Sequence, residues 1–217
     1  MRTVRSFVNR TGRVTKAQKK AIEKLLPQYS IDSYRDNRFI ECRPLYLEIG
    51  FGNASNLLSQ AQHYPNRNYI GCEIYESGIG GALKTIKNKN IKNVRIAVGD
   101  AIDTIEHLSP KSLDGVFIFF PDPWPKKRHN KRRMINEGFL EKLRAKMKEH
   151  AQLFMATDDD SYAQEIIQLL AQDKYFENIA GELSYAPRPS WREVTKFEER
   201  AHRCGNSIFE IIASLKN

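Results

Sequence analysis

From Pro44 onward the chain alternates short apolar runs with amphipathic ones, and no other feature restricts its fold as much. PLYLEIGFG, NYIGCEI, NVRIAVGD, LDGVFIFF and AQLFMATDDD read as buried strands. NASNLLSQAQHY, SGIGGALKTIKNK, AIDTIEHL, the stretch Asn136–Glu149 and SYAQEIIQLLAQ read as helices between and after them. In the Asn136–Glu149 stretch, Phe139, Leu140, Leu143 and Met147 share one helical face. Two more strands are expected near Glu177–Ser184 and Ser207–Ser214. Such alternation implies an α/β fold with a parallel sheet and right-handed crossovers. Ligands then bind beyond the carboxyl ends of the strands, near the point where strand order reverses.

Each of the first five strands ends in a carboxylate: Glu48, Glu73, Asp100, Asp122 and Asp158. An N-cap role for the following helix would account for one or two of them, notably in Asp158–Asp160, but not for all five. EIGFGN, with Gly50 and Gly52, permits a tight turn and close approach of a ligand to the backbone. The dinucleotide pattern G-x-G-x-x-G fails at Ser55, which counts against a nicotinamide cofactor. An acidic residue before the first glycine suits the cationic amino-acid end of S-adenosyl-L-methionine, with Glu48 as its partner. Glu73 has the lone pairs to accept from two ribose hydroxyls. Asp100 is placed to accept from an adenine amine, with Ala101 and Ile102 flanking the ring.

A length of 217 residues suits one domain with a short appendage. We expect residues 1–40 to be a flexible basic arm, with a short helix through Ala21–Leu26, and residues 41–217 to be the catalytic domain. The net charge of +9 points to a polyanionic partner, nucleic acid first. No apolar segment approaches the roughly 20 residues needed to cross a bilayer. Cys42, Cys72 and Cys204 are far apart and show no metal spacing, as befits reduced thiols in a cytoplasmic protein. The charge is densest in VFIFFPDPWPKKRHNKRRM, where an apolar run breaks into Pro-Asp-Pro-Trp and a basic band follows.

FPDPWPKKRHNKRR, together with TKFEER at Thr195–Arg200, strongly resembles the tRNA (guanine-N7)-methyltransferase family of the bacterial single-subunit type. The similarity runs from about Leu45 to the end. It implies a class I S-adenosylmethionine-dependent methyltransferase fold, Rossmann-like, with a seven-stranded, mainly parallel sheet. It also implies tRNA as partner, a guanine of the variable loop as acceptor, and no obligatory protein partner. Carried across by motif, Glu48, Glu73, Asp100 and Asp122 are the cofactor-side carboxylates, with Asp122 also catalytic. Lys126, Asp158, Thr195, Lys196, Phe197 and Glu198 are the substrate contacts, and Arg128, His129, Asn130, Lys131, Arg132 and Arg133 the RNA-contacting band. No metal is implied. Two positions depart from the family pattern: Ala54 stands where the glycine loop often has a third glycine, and Ser77-Gly78 replaces a Pro-Gly pair.

Guanine N7 has an in-plane lone pair and no proton, so its methylation needs no general base. Asp122 is then expected to orient the base through N1–H and the 2-amino group, or to stabilise the purine cation; Glu198 suits the same task. Pro121 and Pro123 restrict the backbone on either side of Asp122. Trp124 suits either a base-stacking wall or a core aromatic. Thr195 and Glu198 also read as a helix-capping box. Arg188, Arg192, Arg200 and Arg203 are expected to extend the RNA surface. The PDPW motif also approaches that of amino methyltransferases, which makes another RNA or an exocyclic amine the alternative acceptor.

Overall fold

A computed structural model describes residues 13–31 and 43–216. Its sheet has seven strands: β1 Leu45–Ile49, β2 Asn68–Glu73, β3 Val94–Val98, β4 Leu113–Phe119, β5 Met147–Thr157, β6 Phe176–Asn178 and β7 Phe209–Leu215. Their order is β3-β2-β1-β4-β5-β7-β6. β1 to β5 run parallel, and β7 is antiparallel to both β5 and β6. The order reverses between β1 and β4, so the crevice at their carboxyl ends is the favoured ligand position.

Period-two alternation explains how the sheet buries both faces. Leu45, Leu47 and Ile49 of β1, with Val116 and Ile118 of β4, face one core cluster. Helices α4 Ala101–His107, α5 Glu137–Arg144 and α6 Asp160–Gln172 close that cluster. Phe117 and Phe119 point to the opposite cluster, which α1 Lys16–Tyr29, α2 Ser55–His63 and α3 Glu76–Asn88 cover. The last helix, α7 Lys196–Arg203, precedes β7.

Three expectations change. The helix read over Asn136–Glu149 ends at Arg144, and Met147 opens β5. Met147 keeps its apolar burial but gains it by pairing with Leu113, because the backbone turns at Lys146, whose carbonyl accepts from Ser112 and Leu113. The strand near Glu177–Ser184 shrinks to Phe176–Asn178. The short helix expected through Ala21–Leu26 is longer, since α1 spans Lys16–Tyr29 and buries Ala21, Leu25 and Tyr29. A Cβ at Gly80 of α3 would lie 2.7 Å from the Gln18 Cβ, so the two helices meet at a glycine contact. Arg2, Arg5, Arg10 and Cys42 lie outside the described residues. No helix among the described residues is long and apolar enough to cross a membrane.

Candidate functional site

The carboxyl ends of β1, β2 and β4 open onto a cleft. Its floor is the glycine turn after β1. Gly50 and Gly52 have φ of +69° and +54°, in the left-handed region where a Cβ is disfavoured. A side-chain carbon built on Gly50, Gly52 or Gly99 would meet no atom within 4 Å, so these bare backbones border open space. That is a cradle a ligand can enter. Ala54, at φ 61°, also sits in the left-handed region, which explains a preference for glycine there. Gly78 has a packing reason: a Cβ there would lie 2.3 Å from the Gly52 carbonyl oxygen. The start of α3 therefore presses on the glycine turn.

Glu48 and Glu73 line the cleft and are each 5% exposed. The Asn56 side-chain amide donates to Glu48 at 2.7 Å. Burial pushes the Glu48 carboxyl up to about 8; the Asn56 hydrogen bond opposes this and the nearby Glu73 charge adds to it. A cationic ligand group beside Glu48 would offset the burial cost. Glu73 accepts from the backbone N–H groups of Gly52, Ile74 and Tyr75 at 2.8, 2.7 and 3.0 Å. A carboxylate has roughly four acceptor directions, so about one is left for a ribose hydroxyl rather than the two expected. Asp100 caps α4 by accepting from Ile102 N–H at 2.8 Å, and its neighbours Gly99 and Ala101 line the cleft. A buried acid, open glycine backbones and a carboxylate with an acceptor direction left over together fit S-adenosyl-L-methionine.

The opposite wall comes from β4 and α7. Phe119, Phe120, Pro121 and Asp122 line it, with Thr195, Lys196 and Phe197. Asp122 is exposed. Phe120 and Trp124, on either side of Pro-Asp-Pro, have φ of 54° and 48°, an uncommon conformation for aromatic residues and a local backbone cost. Phe197 is 58% exposed and stacks on Phe120 with centroids 6.3 Å apart. Thr195 caps α7 by accepting from Glu198 N–H.

Glu198 faces away from the cleft. One of its oxygens accepts from Arg188 at 3.1 Å and the other from Arg192 at 2.7 Å. Burial alone would raise its pKa, but the two guanidiniums outweigh that and hold it below the usual carboxylate range. The capping box is therefore half formed, since the Glu198 side chain is spent on arginines. Arg192 is 1% exposed and also pairs with Glu210 of β7 at 2.5 Å. Its expected place on an RNA surface is corrected: it is an internal tie between α7 and the sheet. Arg188, Arg200 and Arg203 are exposed.

The basic band divides. Lys127–Arg132 forms a 3-10 helix, so the band is neither open loop nor α-helix. Lys126, Arg128 and Lys131 are exposed. Arg132 lies over the Trp124 ring at 4.8 Å and His129 meets its edge at 5.9 Å, so Trp124 is half-buried under the band, outside the cleft lining. In the amide orientation that satisfies its neighbours, Asn130 donates to the Trp124 and Lys126 carbonyls at 3.2 Å each. Arg133 is 2% exposed, and its expected RNA contact is corrected. It donates to the Pro123 carbonyl at 2.8 Å and pairs with Glu165. Asp158 is half-buried just beyond β5, and the adjacent Asp159, not Asp158, caps α6.

Sequence reading missed Asn56 as the partner of Glu48, and the inward turn of Arg133 and Arg192. Nothing in the sequence marks Asn56. The apolar Met134-Ile135 pair after Arg133 is the signal that the chain dives inward there.

Comparison with known proteins agrees with this architecture. A family model described as "Putative methyltransferase" matches residues 42–211. A tRNA (guanine-N(7)-)-methyltransferase of Burkholderia thailandensis is 42% identical, covering 98% of this chain and 82% of the relative. One from Aeromonas hydrophila is 38% identical, covering 98% and 92%. Among solved structures, the 16S rRNA (adenine(1408)-N(1))-methyltransferase from Catenulisporales acidiphilia superposes with a TM-score of 0.57 at 14% identity, over 86% of this chain and 91% of that one. That likeness speaks for the fold alone.

Proposed function

The chain belongs to the tRNA (guanine-N7)-methyltransferase family, and from that premise we propose that it transfers a methyl group from S-adenosyl-L-methionine to N7 of a guanine in the variable loop of tRNA. The observation that carries this reading is that one cleft joins Glu48, the glycine turn and Glu73 to Asp122 and Thr195–Lys196–Phe197. Donor and acceptor walls are thus continuous.

S-adenosyl-L-methionine supplies an electrophilic methyl on its sulfonium. Glu48 holds the cationic amino-acid end, Glu73 takes a ribose hydroxyl, and Gly99–Ala101 border the adenine. Asp122 grips guanine through N1–H and the 2-amino group, which turns N7 toward the donor. Because N7 attacks with its own lone pair and loses no proton, the residues contribute alignment and electrostatics rather than base catalysis. Asp122 also stabilises the positive charge that develops on the purine. Phe197, stacked on Phe120, offers an exposed ring to the base face, and Lys196 and Lys126 approach the RNA backbone. Between Asp122 and Glu198, Asp122 is the one in the cleft, so it takes the orienting role. The exposed cations of the band hold phosphates, which anchors RNA without reading sequence. The protein works in the cytoplasm on tRNA, without an obligatory protein partner.

The test is radiolabelled donor with a tRNA transcript bearing a variable-loop guanine, followed by borohydride and aniline, which cut at 7-methylguanine. One cut in the variable loop is expected. Asp122→Ala should lower turnover by roughly 100-fold or more, as a lost orienting contact does. Label without that cut would move the reaction to another acceptor atom.

A further inference from the structure

We propose that Arg133 is a positioning residue that sets the spacing between Asp122, on the acceptor wall of the cleft, and Asp158, which follows the neighbouring β5 outside the cleft lining. The proposal rests on the function proposed above, in which Asp122 orients the base, and on Asp158 as the substrate contact that the family resemblance implies. Asp122 follows β4 and Asp158 follows β5, and the two strands are parallel neighbours, with Phe119 beside Ala156. Past Phe119 the backbone bond between the two segments runs from Phe120 N–H to the Ala156 carbonyl at 2.8 Å, short of both carboxylates.

One guanidinium bridges them. Arg133 Nε donates to the carbonyl of Pro123, the residue after Asp122, at 2.8 Å. Its Nη2 lies 3.7 Å from a carboxylate oxygen of Asp159, the residue after Asp158, and 3.3 Å from the Ser161 hydroxyl. Nη1 pairs with Glu165, and the group stacks over the Tyr162 ring at 4.8 Å. Every branch of the fork is engaged, which a planar, rigid guanidinium does and a lysine does not.

Two features make a tie necessary. The Pro-Asp-Pro segment sits between two positive-φ aromatic residues, a conformation that persists only when its surroundings hold it. A buried cation is costly unless matched, and two carboxylates match this one, so its burial is a built feature. Arg133 closes the basic band in sequence yet leaves the RNA-facing surface, unlike exposed Arg128 and Lys131.

The experiment compares Arg133→Met, Arg133→Lys and Glu165→Gln with the wild type. The Glu165 side chain is 42% exposed, so its variant keeps the fold if Arg133→Met does not. Turnover, tRNA affinity as a function of salt, and amide exchange at residues 120–124 and 158–161 are read together. Turnover should fall roughly tenfold to hundredfold in Arg133→Met, as for a sub-ångström to ångström misplacement, and severalfold in Glu165→Gln. The tRNA affinity and its salt slope should not change, and amide exchange should quicken in both loops at once. Arg133→Lys should recover only part of the turnover. A salt slope reduced by about one in Arg133→Met would make Arg133 a phosphate contact and overturn the proposal. Wild-type turnover in both Arg133→Met and Glu165→Gln, or quickened exchange in only one loop, would also overturn it. A wild type that gives no cut at guanine would overturn the proposed function instead, while the exchange data still decide whether Arg133 couples the loops.

Discussion

The two walls of the cleft are held by opposite means. On the β1–β3 side, carboxylates are satisfied by neutral amide donors: Glu73 by its neighbours Ile74 and Tyr75 and by Gly52 of the turn after β1, Glu48 by Asn56, Asp100 by Ile102. On the β4–β7 side, buried guanidiniums reach between loops: Arg133 ties Pro123 to Glu165, and Arg192 ties Glu198 to Glu210. The first wall is set by hydrogen bonds from uncharged amides. The second depends on charge pairs, whose worth lies in fixing an arrangement and whose disruption strands a buried charge. A cofactor of constant shape suits the first design, and a wall formed by mutually tied loops suits the second.

If that contrast holds, the largest single effect falls on the charge-tied wall. Arg192→Met should cost about 3–5 kcal/mol in chemical denaturation, because Glu210 loses its guanidinium while buried. Glu210→Gln added to it should restore part of the loss. A cost below about 1 kcal/mol would show that the pair contributes nothing beyond packing.

Gly78→Ala attacks the other wall. Its new methyl would collide with the Gly52 carbonyl oxygen, 2.3 Å from the built Cβ. Overpacking should cost about 1–3 kcal/mol and weaken binding of S-adenosylhomocysteine, followed by calorimetry, while tRNA affinity stays unchanged. Equal loss of both ligands would erase the separation of the two walls.

A pH-dependent effect belongs to Glu48. Its pKa is raised from 4.5 to about 8 in the folded protein, so the folded state binds more protons than the unfolded one between those values. Stability should then fall as pH rises through this window, by at most about 1.4 kcal/mol per unit, and Glu48→Gln should flatten the slope. Cofactor binding near pH 7 should release a fraction of a proton in the wild type and none from this site in Glu48→Gln. Calorimetry in two buffers of different ionisation enthalpy measures that difference.

The smallest effect is expected on the exposed band. Lys131→Ala should reduce the salt slope of tRNA binding by about 0.7–0.9 and weaken affinity modestly, with stability unchanged.

The strand-end carboxylates and glycine turn were legible because alternating hydrophobic runs place each strand's end, and a carboxylate at that point needs no knowledge of distant residues. Asp122 was legible for the same reason. The helix over Asn136–Glu149 was overextended because Met147 is apolar in either state; pairing with Leu113 decided for strand. Residue type does not subdivide the basic band, since Arg132 and Arg133 are both arginines one position apart; only the apolar Met134-Ile135 pair that follows marks the inward turn. One covers Trp124 and the other is buried against Glu165.

The sequence by itself determined the sheet, the rim of carboxylates and the family, because these follow from periodicity and from motifs contiguous in the chain. Tertiary structure alone decided which charges meet the solvent. Arg133, Arg192 and Glu198 are internal because partners 32, 18 and 10 positions away come within hydrogen-bonding distance only after the chain has folded. Charge type is written in the sequence, but the cost of burying a charge depends on what lies beside it.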